Sequence, residues 1–410
     1  MQAVILAAGE SSRFYPYNSF GHKSLVVLGG KTLIEYTVEN LRRAGVSEII
    51  IVEGKNRFIS KALAHLHDLT FIIQENPQGM GDALLTAKDV LAEQFLVVNS
   101  YHFEAGDFLH EMESSAKNPA DIVLLTKEEK DPSAFGTFEK KDGKLVVSEK
   151  KQGENLDRIV GLYLLNKKFI EVLEQEPKEH YNFESAISTY SNTHEIILLK
   201  TDKTTLSLKY PWDLLSVKDY LLEKIEEKIS EKAKVSDKAV ISGKVSIEEG
   251  ATVMEGAVIT GPAYIGKNAY VGTNSVMRGG VCVEEGAVVG SQMELKNTIL
   301  MRGATTHAGF IGDSTVGEET KMAAGFTTAN VRLDRKEISV HVKGQKISTH
   351  RKSFGTIIGS GCSFGIRVGT MPGVMVGNNV IVGPGTTVME DLEDNITFYT
   401  EFEKHVTKHK

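Results

Sequence analysis

Residues 233–289 read AKVSDKAVISGKVSIEEGATVMEGAVITGPAYIGKNAYVGTNSVMRGGVCVEEGAVV, and an aliphatic side chain returns at every sixth position. The series is Val235, Ile241, Ile247, Val253, Ile259, Ile265, Val271, Met277, Val283 and Val289. Two places before each stands a small or short residue, among them Ala233, Ala251, Ala263 and Ala287. Self-similarity at a fixed short period specifies a solenoid. The predicted fold is a left-handed parallel β-helix of hexapeptide repeats, its coils flattened triangles with one short strand per face. The aliphatic residue fills the axis and the small one lets the chain turn the corner. Gly250, Gly256, Gly266, Gly272 and Gly290 fall at or near corners, where glycine adopts special backbone angles without strain.

Working outward, the period resumes at Ile358, Phe364, Thr370, Val376, Val382 and Val388, after a shorter piece around Val316 and Met322. Residues 327–353 break it as a polar insertion, and insertions in a solenoid project as loops that often carry binding residues. This one is basic: Arg332, Arg335, Lys336, Lys343, Lys346, Arg351 and Lys352 stand against Asp334 and Glu337.

The first half is built differently. Apolar runs at 4–6, 48–52, 70–73, 95–98 and 122–125 read as strands, and 32–44 and 82–94 as crossover helices, the alternation of an α/β sheet. Apolar residues at helical spacing from Leu214 to Ile225 predict an exposed linker helix over 212–232. The expected organisation is therefore an α/β domain at 1–211, the linker at 212–232 and the β-helix at 233–410. A chain of 410 residues suits two domains. Its net charge of −7 gives no basic field for nucleic acid. With two cysteines and no apolar segment of membrane length, the expectation is a cytoplasmic protein.

Leu6-Ala7-Ala8-Gly9-Glu10-Ser11-Ser12-Arg13 joins a strand to a glycine loop ending in a cation, and Lys23 follows. Backbone N–H groups of such a loop can cradle phosphate, and the cations can clamp it. In this order the residues resemble the sugar-1-phosphate nucleotidylyltransferases, whose nucleotide-diphospho-sugar transferase fold is Rossmann-like. The resemblance implies that Ala8, Gly9, Arg13 and Lys23 meet phosphate and that Gln74 and Gly79, in Gln74-Glu75-Asn76-Pro77-Gln78-Gly79, face the base. Gly136 and Glu149 would lie on sugar-binding strands. The family's metal-binding aspartates are replaced by Tyr101, in Val98-Asn99-Ser100-Tyr101, and by Ser207. Neither side chain is a good Mg²⁺ ligand, which points to weakened nucleotidyl transfer. Whether Glu104 or Asp107 restores a Mg²⁺ site is open at this level.

The second half resembles the acetyltransferase domain of the bifunctional N-acetylglucosamine-1-phosphate uridylyltransferase/glucosamine-1-phosphate acetyltransferases. The residues are Glu294-Leu295-Lys296-Asn297, His307-Ala308-Gly309-Phe310-Ile311-Gly312-Asp313, Ala329-Asn330 and Val342-Lys343-Gly344. The resemblance implies acetyl-CoA as co-substrate, a homotrimer, and His307 as the base that deprotonates an amine. Phe310, standing where the family has a tyrosine, Asn330, Arg332, Lys336 and Lys343 would bind acceptor and CoA. Sugar phosphates and nucleotides are the expected ligands, with no nucleic acid or membrane partner. Two rival readings remain: an active nucleotidylyltransferase using the β-helix for assembly, and a non-catalytic sugar-nucleotide-binding regulatory subunit.

Overall fold

The computed structural model describes residues 1–118, 120–129, 136–141, 144–149 and 156–407. The chain forms two compact units. One comprises Met1–Ser11, Ser24–Val26 and Thr32–Ser207, and the other Ser12–Lys23, Val27–Lys31 and Leu208–Lys410.

In the first unit, β1 (Gln2–Ala7), β2 (Glu48–Gly54), β3 (Leu69–Gln74), β4 (Gln94–Asn99), β5 (Ile122–Glu129), β6 (Gly136–Lys141), β7 (Lys144–Glu149), β8 (Leu156–Asn166) and β9 (Ile196–Lys200) share one sheet. The order is β9-β5-β8-β4-β1-β2-β3, with β6 attached beside β8 and β7 paired to β6. β1 is parallel to β2 and β4, whereas β8 runs antiparallel to β4 and β5. A strand covered on both faces must be apolar throughout, and Ala3, Val4 and Ile5 are all fully buried, feeding two cores on opposite sides. The five strands read from sequence each lie inside an observed one.

The first crossover helix, Leu33–Arg43, starts at a capping box: Thr32 Oγ1 accepts from Glu35 N, and the Glu35 carboxylate accepts from Thr32 N at 2.7 Å. The second is shorter than its periodicity suggests, Met80–Thr86 followed by one 3₁₀ turn, Lys88–Val90. Leu91 is already extended, and Gln94 is taken by the sheet opposite Asn166.

In the first coils of the second unit, strand positions pair in parallel with those eighteen further on, Val235 with Val253, Val253 with Val271 and Ile247 with Ile265. Three hexapeptides thus make one coil, and the fold is the left-handed β-helix read from the repeat. Both residues of the repeat point inward, because the alanines at 251, 257, 263 and 287 are as fully buried as the aliphatic series. Gly250 and Gly256 hold positive φ at corners. Gly266, Gly272 and Gly290 do not, and what they permit is close stacking: a Cβ on Gly290 would lie 1.8 Å from the carbonyl oxygen of His307.

The expected long, exposed linker helix needs correction. The helix is Asp213–Lys224, it buries Leu214, Leu215, Val217 and Tyr220, and its fully buried Lys218 ammonium donates to the Gly280 carbonyl at 3.0 Å. Ile225 is extended, and Lys228–Ile229 already pairs with the strand Val245–Ile247. The insertion is smaller than 327–353, because Thr327 and Thr328 still pair with Gly369 and Thr370 as coil strand. What projects is an antiparallel hairpin, Ile338–Val342 with Gln345–Arg351.

Candidate functional site

One face of the β-helix gathers three of the acyl-transfer candidates, His307, Phe310 and Asn330. Its strand Gly309–Gly312 lies between Met293–Leu300 and Phe326–Thr328, so Glu294, Phe310 and Thr327 stand in register. His307 precedes that strand and is exposed, with its backbone N–H donating to the Met322 carbonyl at 3.0 Å. Its imidazole makes no hydrogen bond among the described residues, so both ring nitrogens are open to a ligand.

Asp313 closes the same strand at the opposite corner, in the left-handed region at φ 50° and buried. Its carboxylate accepts from Lys296 Nζ at 2.9 Å, Asn297 Nδ2 at 2.8 Å and Asn330 Nδ2 at 2.5 Å. Charge-assisted bonds of this kind are the strong ones, and three of them fix four side chains from successive coils. The Phe310 ring leans over Gly312, where a Cβ would lie 2.6 Å from Phe310 Cζ and 2.8 Å from Asn330 Nδ2. Sequence reasoning picked out Phe310 and Asn330 but gave Asp313 no role. The available signal was its corner position, where Asn and Asp are favoured at positive φ.

The other cations expected here are placed differently. Arg332 binds Asp334 through both Nε and an Nη, each at 2.8 Å, and this pair holds the Asp334 carboxyl well below the usual range. Lys336 is exposed beside it. Lys343 sits at the hairpin turn and donates to Ser12 Oγ at 2.8 Å, which assigns it to the glycine loop's continuation.

That loop is divided between the units. Ala8 and Gly9 belong to the α/β unit, while Arg13 and Lys23 pack with the β-helix unit. Lys23 donates to the Leu208 carbonyl at 2.7 Å, and burial pushes its ammonium down to about 8, against the pull of Asp213. Gln74 is buried and its amide donates to Asp82 in the first turn of Met80–Thr86. Gly79 caps that helix at φ 121°, with the His180 carbonyl 2.5 Å from where a Cβ would lie. Gly136 and Glu149 are register partners on β6 and β7, and the Glu149 side chain lies outside the described residues.

The metal position can be tested on its donors. Tyr101 follows β4, and its ring lies tilted against that of His102, 4.6 Å between centroids. Glu104 turns inward: its fully buried carboxylate meets His102 Nδ1 at 2.8 Å and accepts from Leu206 N at 2.7 Å. Asp107 is exposed, accepting from Asn40 Nδ2 at 3.2 Å. A cation already stands beside Tyr101 and Glu104, namely Arg158. Desolvation lowers its guanidinium from the ordinary value, and Glu129, Tyr101 and Glu104 counter that shift. Among the described residues no three His, Cys, Asp or Glu side chains converge. These residues do not fit Mg²⁺, which takes carboxylate oxygens in octahedral array. Nor, among the described residues, is any helix long and apolar enough to cross a membrane.

Comparison with known proteins gives a consistent answer for both units. Residues 2–204 match the nucleotidyl transferase family model, and residues 262–291 and 355–390 match the hexapeptide repeat of succinyl-transferase. The chain is 31% identical over 406 residues to the bifunctional protein GlmU of Methanocaldococcus jannaschii, covering 97% of each chain. It is 31% identical over 423 residues to the protein of that name from Methanococcus vannielii, with 100% of both covered. The bifunctional sugar-1-phosphate nucleotidylyltransferase/acetyltransferase of Sulfurisphaera tokodaii is 29% identical over 420 residues, covering 96% of this chain and 98% of its own. The chain therefore belongs to the GlmU-type family of bifunctional nucleotidylyltransferase/acetyltransferase proteins.

Proposed function

We propose that the protein acetylates the amine of an amino-sugar-1-phosphate with acetyl-CoA on its β-helix, and that nucleotidyl transfer by the α/β unit is weakened or lost. The observation that carries the first half is one face with an exposed, unengaged His307 at one edge and the Asp313-anchored cluster of Lys296, Asn297 and Asn330 at the other. His307 takes a proton from the ammonium form of the acceptor. That first proton is passed on to solvent. As the free amine adds to the thioester carbonyl and the N–C bond forms, His307 takes the second proton from that nitrogen. The C–S bond breaks, and His307 returns this proton to the leaving thiolate. Asn330 and Lys296 hold acceptor oxygens, and Lys336 offers a further cation to phosphate. Phe310 supplies apolar surface and no hydroxyl, which shifts acceptor preference away from a ligand needing that hydrogen bond. The assembly is a homotrimer, in which a neighbouring coil stack completes the face.

For the second half the support is the replacement of both carboxylates by Tyr101 and Ser207, together with the inward-turned Glu104 and the adjacent Arg158. A nucleotide-binding role without turnover is the second reading for this unit, favoured by the buried Gln74 and the preserved Gly79 turn.

Thiol release from acetyl-CoA in the presence of amino-sugar-1-phosphates tests the acetyl-transfer reading. Wild type releases thiol, and His307→Ala lowers kcat by roughly 10²–10⁴ with a smaller change in KM. Unchanged turnover in His307→Ala would remove the histidine from the mechanism.

A further inference from the structure

Tyr101 and Ser207, which stand where the family has metal-binding aspartates, lie on separate segments of the α/β unit, and one arginine from β8 reaches both neighbourhoods. Arg158 Nη2 donates to Thr205 Oγ1 at 2.8 Å, two residues before Ser207. Its Nε lies 3.2 Å from Glu129 Oε2, at the end of β5. The same guanidinium interacts electrostatically with Tyr101 and Glu104. We infer that Arg158 is a fixed cation standing in for a divalent one, and that it keeps Mg²⁺ out of the α/β unit even when carboxylates are returned to positions 101 and 207. The inference rests on the reading of weakened nucleotidyl transfer and assigns that loss a second, independent cause.

The charge is permanent and its place is set. A guanidinium keeps its proton in proteins, so an approaching cation cannot discharge it as it would a lysine. Arg158 is only 6% exposed and is held by partners on two different chain segments. Turning it outward would break both contacts and take its charge away from the fully buried Glu104.

Glu104 supplies the complementary observation. Its Oε1 meets Leu206 N and His102 Nδ1, and its Oε2 is buried with no hydrogen bond among the described residues. A buried carboxylate oxygen of this kind needs a cation nearby, and Arg158 provides one from within the chain. The acid that could have recruited a metal is therefore already answered. A divalent ion entering here would meet a like charge in desolvated surroundings, where repulsion is strong. Mg²⁺ also sheds its water reluctantly, so one or two added carboxylates do not outweigh that charge.

The experiment is Mn²⁺ binding to the full-length protein without nucleotide, followed by the electron paramagnetic resonance signal of the free ion. Mn²⁺ shares the oxygen-ligand preference of Mg²⁺. Wild type is compared with Tyr101→Asp/Ser207→Asp, and with that pair combined with Arg158→Gln or Arg158→Lys. The double variant binds Mn²⁺ within about threefold of wild type, adding Arg158→Gln tightens binding roughly tenfold or more, and adding Arg158→Lys does not, because the charge is kept. Thermal melting is the folding control, and Arg158→Met, which keeps the stem without the charge, replaces the glutamine variant if that one unfolds. A tenfold gain in the double variant alone, or no further gain on removing the charge, would overturn the inference and leave the reading of weakened transfer standing. Tight Mn²⁺ binding by wild type that Glu104→Gln abolishes would overturn both.

Discussion

The amide of Asn330 donates to the carboxylate of Asp313 at 2.5 Å, across two neighbouring coils of the β-helix. The same carboxylate takes Lys296 and Asn297 from the coil on the other side. One buried acid therefore sets the orientation of Lys296, Asn297 and Asn330 at this edge of the face, and each loses its anchor together with the others.

Asp313→Ala is expected to lower stability by about 1–3 kcal/mol, since it leaves donors without their acceptor. In the acetylation assay it raises the acceptor KM roughly tenfold while the KM for acetyl-CoA stays near wild type. An equal loss for both substrates would mean that Asp313 only supports the coil.

Tyr17→Phe removes a hydroxyl that is wholly buried between Thr315 and Ile358. The orphaned partners cost about 1–3 kcal/mol. Hydrogen exchange should show faster opening around residues 12–23 than in the coils. Protection unchanged throughout would show that the loop is held without this anchor.

Two buried groups give opposite pH dependences. Desolvation pushes the Glu284 carboxyl from 4.5 up to about 7, against hydrogen bonds from Cys282, Gly29 and Gly30 that pull it down. Between those values the unfolded chain has released the proton and the folded chain keeps it, so this group's contribution falls as pH rises and is level above about 7. His22 is pushed from 6.5 down to about 3 by burial and by the Lys23 charge. Its contribution is complete above 6.5 and is lost as pH falls towards 3. Melting curves of Glu284→Gln should gain on wild type between roughly pH 5 and pH 7.5, and those of His22→Gln should gain only on the acid side. A constant offset from wild type at all pH values would contradict either assignment.

The hexapeptide series was legible because a period of six, held over residues 235–289, leaves one inward direction per strand. The apolar runs of β1, β2, β4 and β5 were legible for a related reason, since strands covered on both faces carry continuous aliphatic sequence. Helix ends were not. Asp82 to Gln94 keeps an apolar rhythm past Thr86, but Gln94 pairs with Asn166 in the sheet and no local pattern records that partner. The anchoring role of Asp313 and the contact of Lys343 with Ser12 were hidden likewise, because these partners are set by coil stacking and by a hairpin turn distant in sequence. Motif order marked Arg13 and Lys23 as phosphate candidates, but only the fold places them in the β-helix unit.

The most direct test of the account is product analysis by mass spectrometry. Purified full-length protein is incubated with Mg²⁺, acetyl-CoA, a panel of amino-sugar-1-phosphates and a panel of nucleoside triphosphates. The account predicts an acetylated sugar phosphate and little or no nucleotide sugar. Nucleotide sugar formed at a rate matching or exceeding acetylation would contradict it and show that Tyr101 and Ser207 do not disable the α/β unit.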